Sequence, residues 1–97
     1  VLVDAVHAAR TATDGLIVNA GAFTHYAWAL HDALAAYDPP VIELHLSNPG
    51  ARESWRHTSV VTPVATAVIA GLGGAGYPLA VTALLDLLDH RDRQERP

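Results

Sequence analysis

Cysteine is missing from the chain, and with it go any disulfide framework and any thiolate zinc site. Lysine is missing too: the basic residues are six arginines, so neither a Schiff-base lysine nor a phosphate-loop lysine can operate in this chain. Positive charge is scarce, with 6 basic against 10 acidic side chains and a net charge of -4, and no basic stripe exists to displace counterions from a nucleic acid. Nucleic-acid binding is thereby disfavoured. Long uninterrupted apolar runs are lacking as well. Thr58 to Leu85 carries no Asp, Glu, Lys or Arg, but Pro63, Gly71, Gly73, Gly74, Gly76 and Pro78 divide it into a strand-length and a helix-length piece. Neither approaches the ~20 apolar residues of a membrane-spanning helix. No basic segment precedes an apolar one at the N-terminus, so no secretory signal is read and a cytoplasmic location is expected.

What is present is apolar material, 51% of 97 residues against 16% charged. That suffices for a single α/β domain, taken as residues 1–90 with a charged tail over 91–97, and excludes a second full domain. Without disulfide or metal staples so small a fold relies on packing or on partners, and assembly with other chains is expected.

Leu2, Val3, Val6 and Ala9 recur at helical spacing, which predicts a helix over Val1 to Thr13 with Gly15 in its C-cap region. Leu16, Ile17 and Val18 form a continuous apolar run, typical of a strand covered on both faces, and Asn19 stands at its carboxyl end. Thr24 is a candidate N-cap for a helix that continues through Ala27, Leu30, Ala33, Leu34 and Tyr37 until Asp38, Pro39 and Pro40 stop it. Val41 to Leu46 reads as a second strand, on which Glu43 and His45 share a face because strand side chains alternate. Pro49 and Gly50 lead into a short helical stretch that puts Arg52 and Arg56 on one side. A third strand is expected over Ala65 to Ala70, then a glycine-rich turn, a helix from about Pro78 to Asp89, and a solvated, charged tail. Strand and helix alternate with short loops, which calls for a parallel sheet with helices on both faces. The first helix has no strand ahead of it, so the chain reads as a flavodoxin-like domain, incomplete, with three strands retained.

Ligands of open α/β sheets bind outside the carboxyl ends of the strands, and polar residues gather there in this sequence. Asn19 ends one strand, Glu43, His45, Ser47 and Asn48 end the next, and Arg52 and Arg56 follow. A Glu and a His on an otherwise apolar strand form a plausible acid–base pair, since a carboxylate fixes one imidazole tautomer and favours its protonated form. Two arginines nearby suit a carboxylate or another anion. A metal site from His25, His45 and Glu43 is the competing reading, with no H-E-x-x-H or comparable spacing behind it. Gly71-Leu72-Gly73-Gly74-Ala75-Gly76 fits G-x-G-x-x-G, but no strand with an acidic residue follows about 20 residues on, so a tight turn is the preferred reading over a nucleotide cradle. Trp28, Trp55 and Tyr77 are expected as core or interface anchors, and His7, His31, His57 and His90 as surface or structural.

Several blocks together resemble type II 3-dehydroquinate dehydratase, the shikimate-pathway enzyme. They are Asn19-Ala-Gly-Ala-Phe-Thr-His25 with Ala29-Leu-His-Asp-Ala33; Val41-Ile-Glu-Leu-His-Leu-Ser-Asn48 with Ala51-Arg-Glu53 and Arg56-His57; and Pro63-Val-Ala-Thr66 with Gly71-Leu-Gly73 and Gly76-Tyr77. The resemblance implies trimers assembled into a dodecamer, no metal or organic cofactor, and anti elimination of water from 3-dehydroquinate through an enolate. It implies that a loop tyrosine takes the C2 proton, that Asn19 holds a water on the enolate, and that His45, oriented by Glu43, protonates the departing hydroxyl. Substrate would be held by Asn19, His25, Leu46, Ser47 and Arg56, with Asp32 reaching a neighbouring subunit's site and Arg52 in support.

The sequence also departs from the family. The N-G-P-N-L-N-L-L-G strand and the following lid with the catalytic Arg and Tyr are not in it, so the chain is expected to lack the family's N-terminal portion. None of Tyr26, Tyr37 and Tyr77 takes the base's place. Gly50 stands where the family usually has His, and Tyr26, Ala27 and Trp28 replace the common T-S-V. An alternative of another class is a non-catalytic homologue that binds an anion as an assembly subunit.

Overall fold

The computed structural model describes residues 2–10, 12–25 and 27–95. Its elements are α1 (Leu2–Ala9), β1 (Leu16–Val18), α2 (Trp28–Ala35), β2 (Val41–His45), β3 (Ala67–Ala70) and α3 (Gly76–Glu95), with short 3-10 turns between them. The three strands form one parallel sheet in the order β1-β2-β3, with Leu16 opposite Val41 and Ile42 opposite Ala67. β2 is central and every one of its residues is buried.

Alternation along β2 divides the core in two. Ile42 and Leu44 face α3, where Gly76 lies so close that an added β-carbon would sit 2.8 Å from Leu44 Cδ1. Val41, Glu43 and His45 face the other side, where Val41 joins Val6, Val18, Leu30, Leu34, Tyr37, Val60 and Val61 in the main apolar cluster. α1 and α2 pack on each other over that face. Helices therefore cover both faces, as the alternation of elements requires.

Local chemistry moves several boundaries from their expected places. α1 stops at Ala9 rather than Thr13, and the chain leaves it through a turn in which the Ala9 carbonyl accepts the amides of Ala12 and Thr13, each at 3.2 Å, and the Thr13 hydroxyl at 2.9 Å; Val1 and Thr11 lie outside the described residues. Gly15 serves close packing instead of capping, since a β-carbon there would meet Leu84 Cδ1 at 2.8 Å. Thr24 is not an N-cap: it lies in a 3-10 turn over Gly21–His25, and α2 starts behind Ala27 with no side-chain cap. Leu46 falls beyond the end of β2 and is half-exposed. The stretch after Pro49 forms two 3-10 turns, Pro49–Ala51 and Ser54–His57. β3 begins at Ala67 rather than Ala65, since Pro63 sits in a further 3-10 turn over Thr62–Val64.

The glycine-rich segment is a turn. Gly71 (φ 84°) donates its amide to the His45 carbonyl at 3.2 Å, and Gly73 (φ 56°) donates to the Leu46 carbonyl at 2.8 Å. Both need the left-handed backbone that glycine adopts without strain. α3 starts two residues earlier than Pro78, which a first helical turn tolerates because its missing N–H would have no partner there. α3 also continues past Asp89 to Glu95 where a tail was expected. Arg93 pairs with Asp89 one turn back at 2.8 Å, and Arg91 reaches Asp38 at 2.6 Å. Trp28, Trp55 and Tyr77 are 61%, 46% and 44% exposed, so none of them is a core anchor.

Candidate functional site

The end of β1, the end of β2 and the crossover that follows enclose a cavity of about 150 Å³ at the carboxyl edge of the sheet. β1 delivers Asn19, and the 3-10 turn after it delivers Gly21 and His25. β2 delivers His45, with Leu46 and Ser47 just beyond, and the crossover adds Pro49, Arg52 and Arg56. The structure thus gathers Asn19, His25, His45, Leu46, Ser47, Arg52 and Arg56. It does not gather Asp32, which is exposed on α2 and does not line this cavity. Tyr26 and the His57 side chain lie outside the described residues.

Glu43 and His45 meet as the period of two requires: the carboxylate oxygen Oε2 is 2.5 Å from His45 Nε2, with both residues buried. The carboxylate can only accept here, because its two oxygens also receive the hydroxyls of Ser59 (2.9 Å) and Thr62 (2.5 Å). His45 Nε2 therefore carries a proton, and Nδ1 is the ring nitrogen left for a ligand. When protonated, His45 presents an Nδ1–H donor whose positive charge the Glu43 carboxylate offsets.

His25 is fixed in the opposite sense. Its Nδ1 lies 2.7 Å from the Thr58 carbonyl oxygen, which cannot donate, so Nδ1 carries the proton and neutral Nε2 accepts. The ring lies roughly parallel to His45 with centroids 6.4 Å apart, and it meets the Trp55 ring edge-on at 5.1 Å. Trp55 in turn stacks under the Arg56 guanidinium, 4.1 Å from its centroid. Arg56 donates from Nε to Glu53 at 2.6 Å, while Arg52 donates to Ser47 Oγ at 3.4 Å. A hydrogen bond from its own backbone amide, followed by that from Arg56, holds the Glu53 carboxyl below its ordinary value of 4.5. The cavity is thus lined by two imidazoles, each with one ring nitrogen held by a protein oxygen and the other left for a ligand, together with two arginines. An anionic, hydroxylated small molecule matches that set of groups. Among the described residues no three His, Asp or Glu side chains come together to hold a metal ion.

Sequence reasoning missed four participants. Ser59 and Thr62 hold Glu43, Trp55 wedges between His25 and Arg56, and Tyr77 OH accepts from Asn19 Nδ2 at 3.1 Å. The signal for the first two was the need of a buried carboxylate for donors.

Sheet, helices and cavity define a flavodoxin-like α/β protein with an imidazole–carboxylate pair beside arginines. The sequence model of the family described as dehydroquinase class II matches residues 1–85, and the chain belongs to that family. A 3-dehydroquinate dehydratase of Jannaschia sp. is 56% identical over 87 residues, which are 90% of this chain and 59% of the relative. One of Anoxybacillus flavithermus is 51% identical over 92 residues, 95% of this chain and 62% of the relative. The crystal structure of the type II dehydroquinase from Butyrivibrio crossotus superposes with a TM-score of 0.83 at 42% identity, covering 86% of this chain and 59% of that one. That from Propionibacterium acnes gives 0.82 at 42% identity, covering 86% and 61%. The chain thus spans about three-fifths of the length of the relatives it matches. Among the described residues, no helix is long and apolar enough to cross a membrane.

Proposed function

We propose that this chain carries the proton donor and the anion-binding groups of a dehydratase that eliminates water from 3-dehydroquinate to give 3-dehydroshikimate. The observation that carries the reading is the buried Glu43–His45 pair beside Arg52 and Arg56, at the positions that the family resemblance assigns to acid and substrate binding. A base removes the C2 proton, and the electron pair enters the ketone as an enolate, which a water on Asn19 stabilises. The enolate then expels the hydroxyl β to the carbonyl, and His45 Nδ1–H protonates that oxygen as its bond to carbon breaks. Water leaves, and His45 is left neutral with Nε2–H still on Glu43. Arg56, Ser47, Leu46 and His25 hold the carboxylate and hydroxyls of the substrate, with Arg52 behind Ser47. No metal or organic cofactor takes part. Asp32, exposed on α2, serves a neighbouring copy's site in a trimer-based homo-oligomer.

One observation favours a second reading, an anion-binding subunit without turnover. No tyrosine lines the cavity among the described residues: Tyr37 OH is 2.7 Å from Thr13 Oγ1, and Tyr77 OH is held by Asn19. Growth of the product's enone absorbance separates the two. The 97 residues alone should bind 3-dehydroquinate without normal turnover, because a missing base costs about 10²- to 10⁴-fold. Preceded by the N-terminal portion of the Jannaschia relative, the chain should turn over. His45→Ala should then lower kcat far more than it raises KM, and Arg56→Ala should mainly raise KM. A chimera that binds substrate and never forms the enone rejects the dehydratase reading for this chain.

A further inference from the structure

We infer that the turn from Ser59 to Thr62 is the positioning element of the Glu43–His45 pair. The terminal torsion of a glutamate is broad and does not fix the carboxylate plane by itself. Here both oxygens are fixed from outside: Oε1 accepts from Thr62 Oγ1 at 2.5 Å, and Oε2 accepts from Ser59 Oγ at 2.9 Å. The Ser59 hydroxyl has no freedom to do otherwise. Its oxygen accepts the amides of Val61 and Thr62, each at 3.0 Å, so its single proton goes to Glu43.

The turn is itself immobilised. Val60 donates its amide to the Thr24 carbonyl at 2.7 Å, and its own carbonyl accepts from His31 Nδ1 at 2.7 Å. The His25 Nδ1–H takes the neighbouring Thr58 carbonyl at 2.7 Å. Val60 and Val61 are buried, 2% and 0% exposed, and plug the turn into the main core. Two histidines and two valines thus hold the backbone from which two hydroxyls orient one carboxylate, and that carboxylate sets the angle and tautomer of His45. Preorganisation of this kind makes a reacting group available in one geometry without reorganisation.

The decisive experiment reads the His45–Glu43 hydrogen bond itself. In the protein as it stands, the His45 Nε2 proton should give a proton resonance well downfield of the amides, assigned by its loss in His45→Gln. Thr62→Val, which keeps the shape and removes the hydroxyl, should shift or broaden it, and Thr62→Ser should restore it. Thr62→Ala repeats the deletion without placing a methyl group against the carboxylate, in case Val is not accommodated. An unchanged resonance in either folded deletion variant overturns the inference. The kinetic consequence rests on the dehydratase reading: in the chimera that turns over, Thr62→Val should lower kcat about tenfold, as loss of a hydrogen bond to a charged group does, with KM nearly unchanged and recovery in Thr62→Ser. A parent chimera without turnover counts against that reading alone, and the resonance still decides the role of the turn.

Discussion

Gly76 offers the sharpest test of how α3 is set against the site strand. A β-carbon at this position would lie 2.8 Å from Leu44 Cδ1 and 3.8 Å from Ile69 Cγ2. Carbon atoms pack at about 3.5–4.0 Å, so Gly76→Ala demands a displacement of close to 1 Å. Leu44 is wholly buried on the face of β2 that packs against α3. Overpacking of this kind costs about 1–3 kcal/mol. Against it stands the gain from replacing glycine at a helical φ of -62°, about 0.5–1 kcal/mol through helix propensity and the unfolded chain. The net expectation is a loss of about 0–2.5 kcal/mol, centred on about 1 kcal/mol, with the melting point lower by about 4–8 °C per kcal/mol in a domain of this size. Gly74→Ala is the matched control, because nothing lies within 4 Å of its added carbon and its φ is not positive. Urea titration followed by far-UV circular dichroism, with both variants beside the parent, measures the difference. Gly76→Ala as stable as Gly74→Ala would refute the reasoning, since Leu44 would then yield at no cost.

Three other perturbations have outcomes fixed by the geometry. Tyr77→Phe removes the partner of Asn19 Nδ2 at an exposed contact, so the side-chain amide resonances of Asn19 should move while stability changes by less than about 0.5 kcal/mol; unmoved resonances would mean the contact is not formed in solution. Thr24 is 1% exposed, and its hydroxyl is the buried side-chain polar group without a hydrogen-bond partner among the described residues. Thr24→Val should therefore be neutral or stabilising by up to about 1 kcal/mol in thermal unfolding, and a clear loss would reveal a partner for the hydroxyl. The Glu53 carboxyl is depressed, so its contribution is complete above the ordinary value of 4.5 and is lost as pH falls through the lower folded value. A carbon-detected titration of Glu53 should find its midpoint below 4.5, and a midpoint at or above it contradicts the Arg56 contact.

The strands and their order of appearance were legible because short apolar runs between glycine and proline punctuation admit little else. The shared face of Glu43 and His45 followed from the period of two alone. Thr24 misled because a threonine ahead of a helical pattern signals a cap, whereas the backbone from Gly21 to His25 coils into a 3-10 turn and buries it. The extent of α3 was hidden in a pair not visible as local pattern, Arg91 with Asp38, which lie 53 residues apart. The hydroxyls of Ser59 and Thr62 were hidden for the same reason, being 16 and 19 residues from the carboxylate they serve. Trp28, Trp55 and Tyr77 were read by size as core or interface anchors; their exposure removes the core half of that reading, and Trp55 and Tyr77 touch side chains of the cavity.

The connection from β2 to β3 contains no α-helix. It runs through 3-10 turns over 49–51, 54–57 and 62–64, and along it lie Arg52, Arg56, Ser59 and Thr62 together with the two valines that anchor it. A helical crossover would have presented one stripe of side chains to the sheet and the rest to water. Tight turns instead let successive residues aim in unrelated directions, so one segment can close the core, orient a carboxylate and wall a cavity at once. On the proposed reading such a segment is a cassette: its guanidinium end could be rewritten to change which anion is held while its hydroxyl end and valines keep Glu43 and His45 in place. Changes to the arginines and changes to the hydroxyls that orient Glu43 can then proceed through different residues of the same short loop.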